Sequence, residues 1–175
     1  EVHTGILDKK IYSLAPDGTH VSAGCYAAGV SMSSNSGASW TTMNNGMKAS
    51  SVSRIVSNGT VKMACSNANG LYSSNDDGAT WIEANTGIPE RNTQALYAYG
   101  SKIFTGTNYS GVYVTDDNGL NWTSSSTGIT NPNIYSFASN GINLFAGSLG
   151  AGVFKSLDDG NNWTPANTGI ETEQV

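Results

Sequence analysis

The chain has 175 residues, a net charge of −5 and only 12% charged residues. That length suits one ordinary domain with a real core, and its eight scattered Lys and Arg residues form no run, which argues against nucleic acid as a partner. No stretch approaches the ~20 apolar residues of a membrane helix; the sequence neither begins with Met nor shows a signal peptide, so a processed or excised piece of something longer is expected.

In chain order, residues 1–6 end in the word HTGI (His3–Ile6) and read as the tail of a repeat without its body. Residues 7–47 follow, with Leu14 in a first strand and Ala23 in a second. Gly29-Val30 opens a third, and SSNSGASW (Ser33–Trp40) and NNGM (Asn44–Met47) come next. Residues 48–88 repeat the order as Ile55, Ala64, Gly70-Leu71, SNDDGATW (Ser74–Trp81) and NTGI (Asn85–Ile88). Residues 89–129 give Leu96, Thr105, Gly111-Val112, TDDNGLNW (Thr115–Trp122) and STGI (Ser126–Ile129). Residues 130–170 give Phe137, Ala146, Gly152-Val153, SLDDGNNW (Ser156–Trp163) and NTGI (Asn167–Ile170), and 171–175 form a C-terminal tail. Trp40, Trp81, Trp122 and Trp163 stand 41 residues apart, and the other markers keep the same interval. Three markers in one register identify a true repeat.

The last unit shows the expected strands most plainly: Ile134–Ser139, Leu144–Ser148, Gly152–Ser156 and Asn162–Ala166, joined by an Asn140-Gly141 turn, a Gly-containing loop and the LDDG turn. Short strands between Gly and Asn turns, with no helical run, predict an all-β meander. Four such four-stranded units of 41 residues are expected to be β-propeller blades. A β-solenoid is the rival, but its rungs are usually shorter and need no tryptophan hairpin.

The acidic word falls between the third and fourth strands. Asp76, Asp117 and Asp158, with Asn35 in the first unit, are expected to accept hydrogen bonds from backbone N–H groups two or three residues on. Gly37, Gly78, Gly119 and Gly160 supply positive φ, and Trp40, Trp81, Trp122 and Trp163 cover the turn. Asn35 performs the same capping without charge, so the acids read as structural. A calcium loop would need six or more oxygens, which this spacing lacks. The word resembles the Asp-box, S-x-D-x-G-x-x-W, of BNR-repeat propellers, four times over nearly the whole chain. Those families include sialidases, sortilin-type receptors, photosystem II assembly factors and xyloglucan-degrading enzymes. The resemblance implies a structural turn on the blade rim, away from any active centre; Asn35 departs from it and implies a weakened turn.

The sialidase resemblance also implies an arginine triad, but the chain has only Arg54 and Arg91 and lacks the F/Y-R-I-P motif. A glycosidase needs two carboxyl groups across a sugar; outside the acidic words only Asp8 and Glu90 fall in loops between units, and Asp17 reads as a turn residue in PDG. No metal site is expected, since His3 and His20 form no pair and neither cysteine has a ligand partner at a useful spacing, and no cofactor is expected. Cys25 and Cys65 are read as buried thiols, on the ground that small apolar side chains fill the equivalent positions. Arg54 lies in a first strand, expected to line the channel, where a charge must stay hydrated or find an anion. Tyr26, Asn67, Asn108 and Tyr109, in the variable loops between second and third strands, are the remaining ligand-binding candidates.

The function expected is a non-catalytic interaction scaffold, extracellular or on a bacterial surface and part of a larger protein. The alternatives are a fragment of a glycan-processing enzyme with its catalytic residues elsewhere, or a carbohydrate-binding propeller. Bulky Tyr12, Arg54, Tyr97 and Tyr135 in the first strands would crowd a four-bladed ring, so closure is expected from a second copy, giving 4+4 blades, or from further blades of a longer chain.

Overall fold

The computed structural model describes residues 4–18, 20–66 and 68–170. It is all-β, with no helix among these residues, and consists of four antiparallel four-stranded sheets. The first contains β1 (Ile11–Asp17), β2 (His20–Cys25), β3 (Gly29–Ser33) and β4 (Thr41–Thr42); the second contains β5 (Arg54–Ser57), β6 (Lys62–Ser66), β7 (Gly70–Ser74) and β8 (Ile82–Glu83). The third contains β9 (Thr93–Tyr99), β10 (Lys102–Thr107), β11 (Val112–Thr115) and β12 (Thr123–Ser124); the fourth contains β13 (Ile134–Ser139), β14 (Leu144–Ser148), β15 (Gly152–Ser156) and β16 (Thr164–Pro165). Each sheet is a simple meander, strand order following chain order.

The first three strands of the last unit match the sequence reading, but the fourth is only two residues long. Its beginning is drawn elsewhere: the Trp163 N–H donates to Thr127 O of the preceding sheet (2.8 Å), not to β15. Trp81 and Trp122 do the same toward Asn45 and Thr86, and Trp40 toward Thr4. Indole N–H groups extend this joint, from Trp81 to Met43 O, Trp122 to Ala84 O and Trp163 to Ser125 O. The tryptophans therefore clamp neighbouring sheets together, besides lying near their own turns.

The T-G-I word supplies the other half of the joint. Its first residue binds within its own sheet: Asn44, Asn85 and Asn167 accept through Oδ1, and Ser126 through Oγ, from the N–H at or beside the start of the third strand. This explains the recurring glycines, because a Cβ on Gly29, Gly70, Gly111 or Gly152 would lie within 2.2–2.5 Å of those oxygens. Two residues on, Gly46, Gly87 and Gly128 leave room for the carbonyl of the next sheet's tryptophan, 2.0–2.1 Å from where a Cβ would stand.

Three apolar clusters fill the three spaces between successive sheets. Ala15 and Val30 meet Ile55, Ala64, Tyr72 and Trp81; Met63 and Leu71 meet Leu96, Tyr113 and Trp122; Phe104 and Val112 meet Ile134, Ala146, Phe154 and Trp163. The first strands β1, β5, β9 and β13 lie side by side in sequence, but β1 and β13 do not pack on each other as the successive pairs do. Leu14 on β1 accordingly stays exposed, and the first and fourth sheets are not joined as their internal neighbours are.

Among the described residues, Lys62 is the one charged side chain that is buried. Its counterparts at 41-residue spacing are Val21, Ile103 and Leu144. Its ammonium bridges Asp17 of the first sheet (2.6 Å) and Asp77 of its own (2.9 Å). Asp17 is thus an ion-pair partner between sheets as well as a residue at the turn. Burial alone would lower the Lys62 pKa, but the hydrogen bonds to Asp17 and Asp77 outweigh it and hold the pKa above its ordinary value. Cys25 and Cys65 are both free and buried. Contrary to the expectation from sequence, their equivalent positions are not filled by small apolar side chains: glycines 24, 106 and 147 stand where Cys65 does, and Ser66, Thr107 and Ser148 where Cys25 does. Cys65 fits because its thiol lies 2.9 Å from Thr93 O and 3.0 Å from Thr93 Oγ1.

Candidate functional site

Strand registers divide the molecule into two ends. In the fourth sheet Ile134 pairs with Ser148, and Ser148 with Gly152, whereas Ser139 pairs with Leu144, and Leu144 with Ser156. The start of each first strand and the loop between strands two and three therefore share one end. The acidic words occupy the other.

At the acidic end the repeated word is a closed hydrogen-bonded turn. Asp117 Oδ1 accepts from the Asn121 N–H (2.9 Å) and from Thr115 Oγ1 (2.8 Å), and Oδ2 from Asn121 Nδ2 (2.9 Å). Asp158 and Asp76 repeat this with Asn162 and Ser156, and with Thr80 and Ser74. The carboxylate thus reaches an N–H four residues on, one residue farther than the sequence suggested. The Gly78, Gly119 and Gly160 N–H groups, two residues on, are taken by the Ser or Thr that opens the word. That hydroxyl was missed in sequence, although its recurrence at 33, 74, 115 and 156 was the available signal. The first unit keeps every bond. Asn35 Oδ1 accepts from Ser39 N–H (2.8 Å) and Ser33 Oγ (3.0 Å), its amide donates to Ser39 Oγ (2.8 Å), and Ser33 Oγ accepts from the Gly37 N–H (2.9 Å). Asn35 keeps the geometry of the turn with an amide oxygen that accepts the same two bonds, now without a carboxylate's charge. Donated hydrogen bonds lower the pKa of Asp76, Asp117 and Asp158, which fixes them as anions committed to the turn.

At the opposite end, Tyr12, Ser53, Arg54, Gln94 and Tyr135 line one pocket of about 240 Å³. Tyr12, Ser53, Gln94 and Tyr135 are the same position in the four units, so all four sheets contribute. The register places Arg54 at the first residue of its strand, opposite Cys65. It is exposed, and its Nη1 donates to the neighbouring Ser53 carbonyl (2.8 Å). Among the described residues the basic partners of salt bridges are Lys48, Lys62 and Arg91, so Arg54 presents its charge with no acid against it. Tyr26 joins this end through an edge-on contact with Tyr12 (ring centroids 5.7 Å apart), and Lys10 Nζ lies 4.8 Å from the Tyr26 ring centroid. A half-exposed aromatic pair and two cations therefore border the mouth.

Asn108 and Tyr109 sit on the β10–β11 loop at the same end, Tyr109 well exposed and Asn108 half-buried. Asn108 Oδ1 has no hydrogen-bond partner among the described residues. Neither residue lines the pocket. Asn67 lies outside the described residues. Tyr12, Gln94 and Tyr135 were not chosen as ligand candidates from sequence; their 41-residue spacing with Ser53 was the signal.

Asp8 and Glu90 are loop anchors. Asp8 accepts from the Ala27 N–H (2.6 Å) and the Lys10 N–H (2.9 Å), and Glu90 from the Tyr109 N–H (2.9 Å), at equivalent positions two units apart. The Lys10 and Ala27 N–H groups hold the Asp8 pKa below its ordinary value. Both carboxylates are thereby tied to backbone N–H groups of the β2–β3 and β10–β11 loops. Among the described residues no group of three His, Cys, Asp or Glu is placed to hold a metal.

No family model matches the sequence, and no curated protein matches it. Solved structures do. A GH74 enzyme from Niastella koreensis superposes with a TM-score of 0.66 at 18% identity, over 86% of this chain and 23% of its own. YCF48 from Cyanidioschyzon merolae gives 0.63 at 20%, over 89% and 55%, and YCF48 bound to D1 peptide gives 0.73 at 18%, over 97% and 59%. The chain thus spans about a quarter to three-fifths of these proteins. Their likeness, with the four meander sheets, shows an all-β chain with the β-propeller fold.

Proposed function

We propose that this chain is a non-catalytic interaction propeller whose channel mouth receives an anionic or carboxylate-bearing segment of a protein or glycan ligand. The observation that carries it is Arg54, an unpaired guanidinium in a pocket walled by Tyr12, Gln94 and Tyr135. Guanidinium recognises carboxylates in a bidentate fork, and tyrosines add rigid amphipathic area. The YCF48 structure with D1 peptide supports a peptide-type ligand for this fold; the GH74 likeness supports the alternative, a piece of a glycan-processing propeller. The first is preferred because the acids near the mouth are bound to backbone N–H groups. The repeated turn is assigned to the Asp-box class, and the chain to one part of a longer secreted or bacterial surface protein. Its first and fourth sheets are joined by a second copy, as 4+4 blades, or by further blades.

The test is a peptide and glycan array on the pure protein, repeated with Arg54→Ala. Binding of carboxylate-rich ligands that falls about tenfold or more in the variant is expected, the loss of one charge-assisted contact. Turnover of a fluorogenic sialoside or of xyloglucan, abolished by Arg54→Ala, would overturn the reading.

A further inference from the structure

The two ends of the array carry the unmatched halves of one interface. Internally, each sheet offers a T-G-I word and the next sheet seats its tryptophan on it, three times over. At the C-terminal end, Asn167 still caps its own sheet through Val153 N–H (2.7 Å). Gly169 keeps the same left-handed φ of 84°, yet among the described residues no atom lies within 4 Å of its Cβ position. Ile170 is 41% exposed where its counterpart Ile88 is 9%. At the N-terminal end, Leu14 is 60% exposed where Ile55 is 3%. These are the two faces that pair at every internal interface.

The Trp40 seat, however, is not vacant. Trp40 N–H donates to Thr4 O (2.9 Å), and a Cβ on Gly5 would stand 2.0 Å from Trp40 O, the same joint that Gly46, Gly87 and Gly128 make. Thr4–Ile6 fills it as the T-G-I word of a preceding sheet would. The chain therefore holds five such words and four tryptophans. We infer that the backbone of Trp40 is a docking seat for Asn167–Ile170 of a second copy, and that the chain's own Thr4–Ile6 competes for it. The inference rests on the closure by a second copy stated above and adds its control: the N-terminal word is a built-in brake on head-to-tail pairing. The second copy is the occupant that fits, because its last sheet presents the surface repeated at the three internal joints, with Val153 and Ile170 in place of Val112 and Ile129. Head-to-tail contacts made twice close under a two-fold axis.

The experiment measures the dimer dissociation constant by sedimentation for four proteins: the full chain, a chain lacking residues 1–6, the full chain with Gly5→Val, and the truncated chain with Gly169→Val. Truncation is expected to tighten dimerisation tenfold or more. Gly5→Val should do likewise by forcing the word off Trp40 O without deleting it, so a truncated chain that failed to fold would not end the test. Gly169→Val should cancel the gain, since its side chain would meet the partner's Trp40 carbonyl. Dimers of equal affinity in the full, truncated and Gly5→Val chains would overturn the competition and leave closure standing. Monomers throughout would overturn both.

Discussion

At the level of single residues, identical letters hold unlike jobs. Asp116 and Asp117 are neighbours in one word, yet only Asp117 accepts the turn's hydrogen bonds. Position 116 tolerates Ser34, Asn75 and Leu157 in the other units. Asp117→Ala is therefore expected to lower the melting temperature clearly and Asp116→Ala to leave it nearly unchanged; equal shifts by calorimetry would contradict the structural role. Lys62 gives the opposite lesson. Replacing a buried ion pair by a hydrophobe of similar size is often neutral or better, and Val21, Ile103 and Leu144 already fill its place elsewhere. Lys62→Leu should therefore cost little at neutral pH. Asp17→Ala, which leaves Lys62 with the more exposed Asp77 alone, should cost about 1–3 kcal/mol. The pH dependence follows from the shifts. Hydrogen bonds from Lys62 and Ser57 depress the Asp17 pKa, so its contribution is present above its ordinary 3.8 and is lost as pH falls through the folded value. The Lys62 pKa is raised, so its contribution is complete below 10.5 and fades as pH rises through the folded value. Urea unfolding across pH should show Lys62→Leu with flatter acid and alkaline limbs than the parent chain.

Between elements, the T-G-I word is the part that couples sheets. Its glycines have positive φ, and so do glycines in plain turns, so backbone strain alone does not separate the two. Gly141, at the β13–β14 turn, has φ 88° and nothing within 4 Å of a Cβ, whereas Gly87 has φ 95° and the Trp122 carbonyl 2.1 Å away. Gly141→Ala should cost only the left-handed penalty, about 1–2 kcal/mol. Gly87→Ala should add a collision with backbone that cannot move without parting the second sheet from the third, for about 3 kcal/mol or more in total. Thermal unfolding of the two variants checks the difference, and matching losses would remove the word from the joint.

For the whole molecule, stability accumulates from sheets and the joints between them. The second and third sheets are covered on both faces by apolar clusters, while the first and fourth each keep one face open. Amide exchange should therefore be slowest in β6 and β10 and faster in β1 and β13. Uniform protection across the four sheets would mean that the outer faces are covered in solution, and it should then disappear on dilution.

What the sequence determined by itself was periodic. A 41-residue interval carried by Trp, Gly and the T-G-I word announced four β-units, because each marker answers a local need: a turn at Gly119, a close approach at Gly70, a large apolar side chain at Trp122. The acids were legible as structural for the same reason, Asn35 standing in for Asp and accepting the same two bonds. What only the tertiary structure decided was which neighbour each residue serves. Trp163 and Thr127 are far apart in sequence and joined in space; Lys62 is an ordinary lysine until Asp17 of another sheet meets it. Asp8 and Glu90 looked free until the Ala27 and Tyr109 amides turned toward them. The mouth of the channel was half legible, since Arg54 marked the strand that lines it. Its walls were not, because Tyr12, Gln94 and Tyr135 come together only when four separate first strands are set side by side, a placement made by contacts between sheets that no single unit encodes.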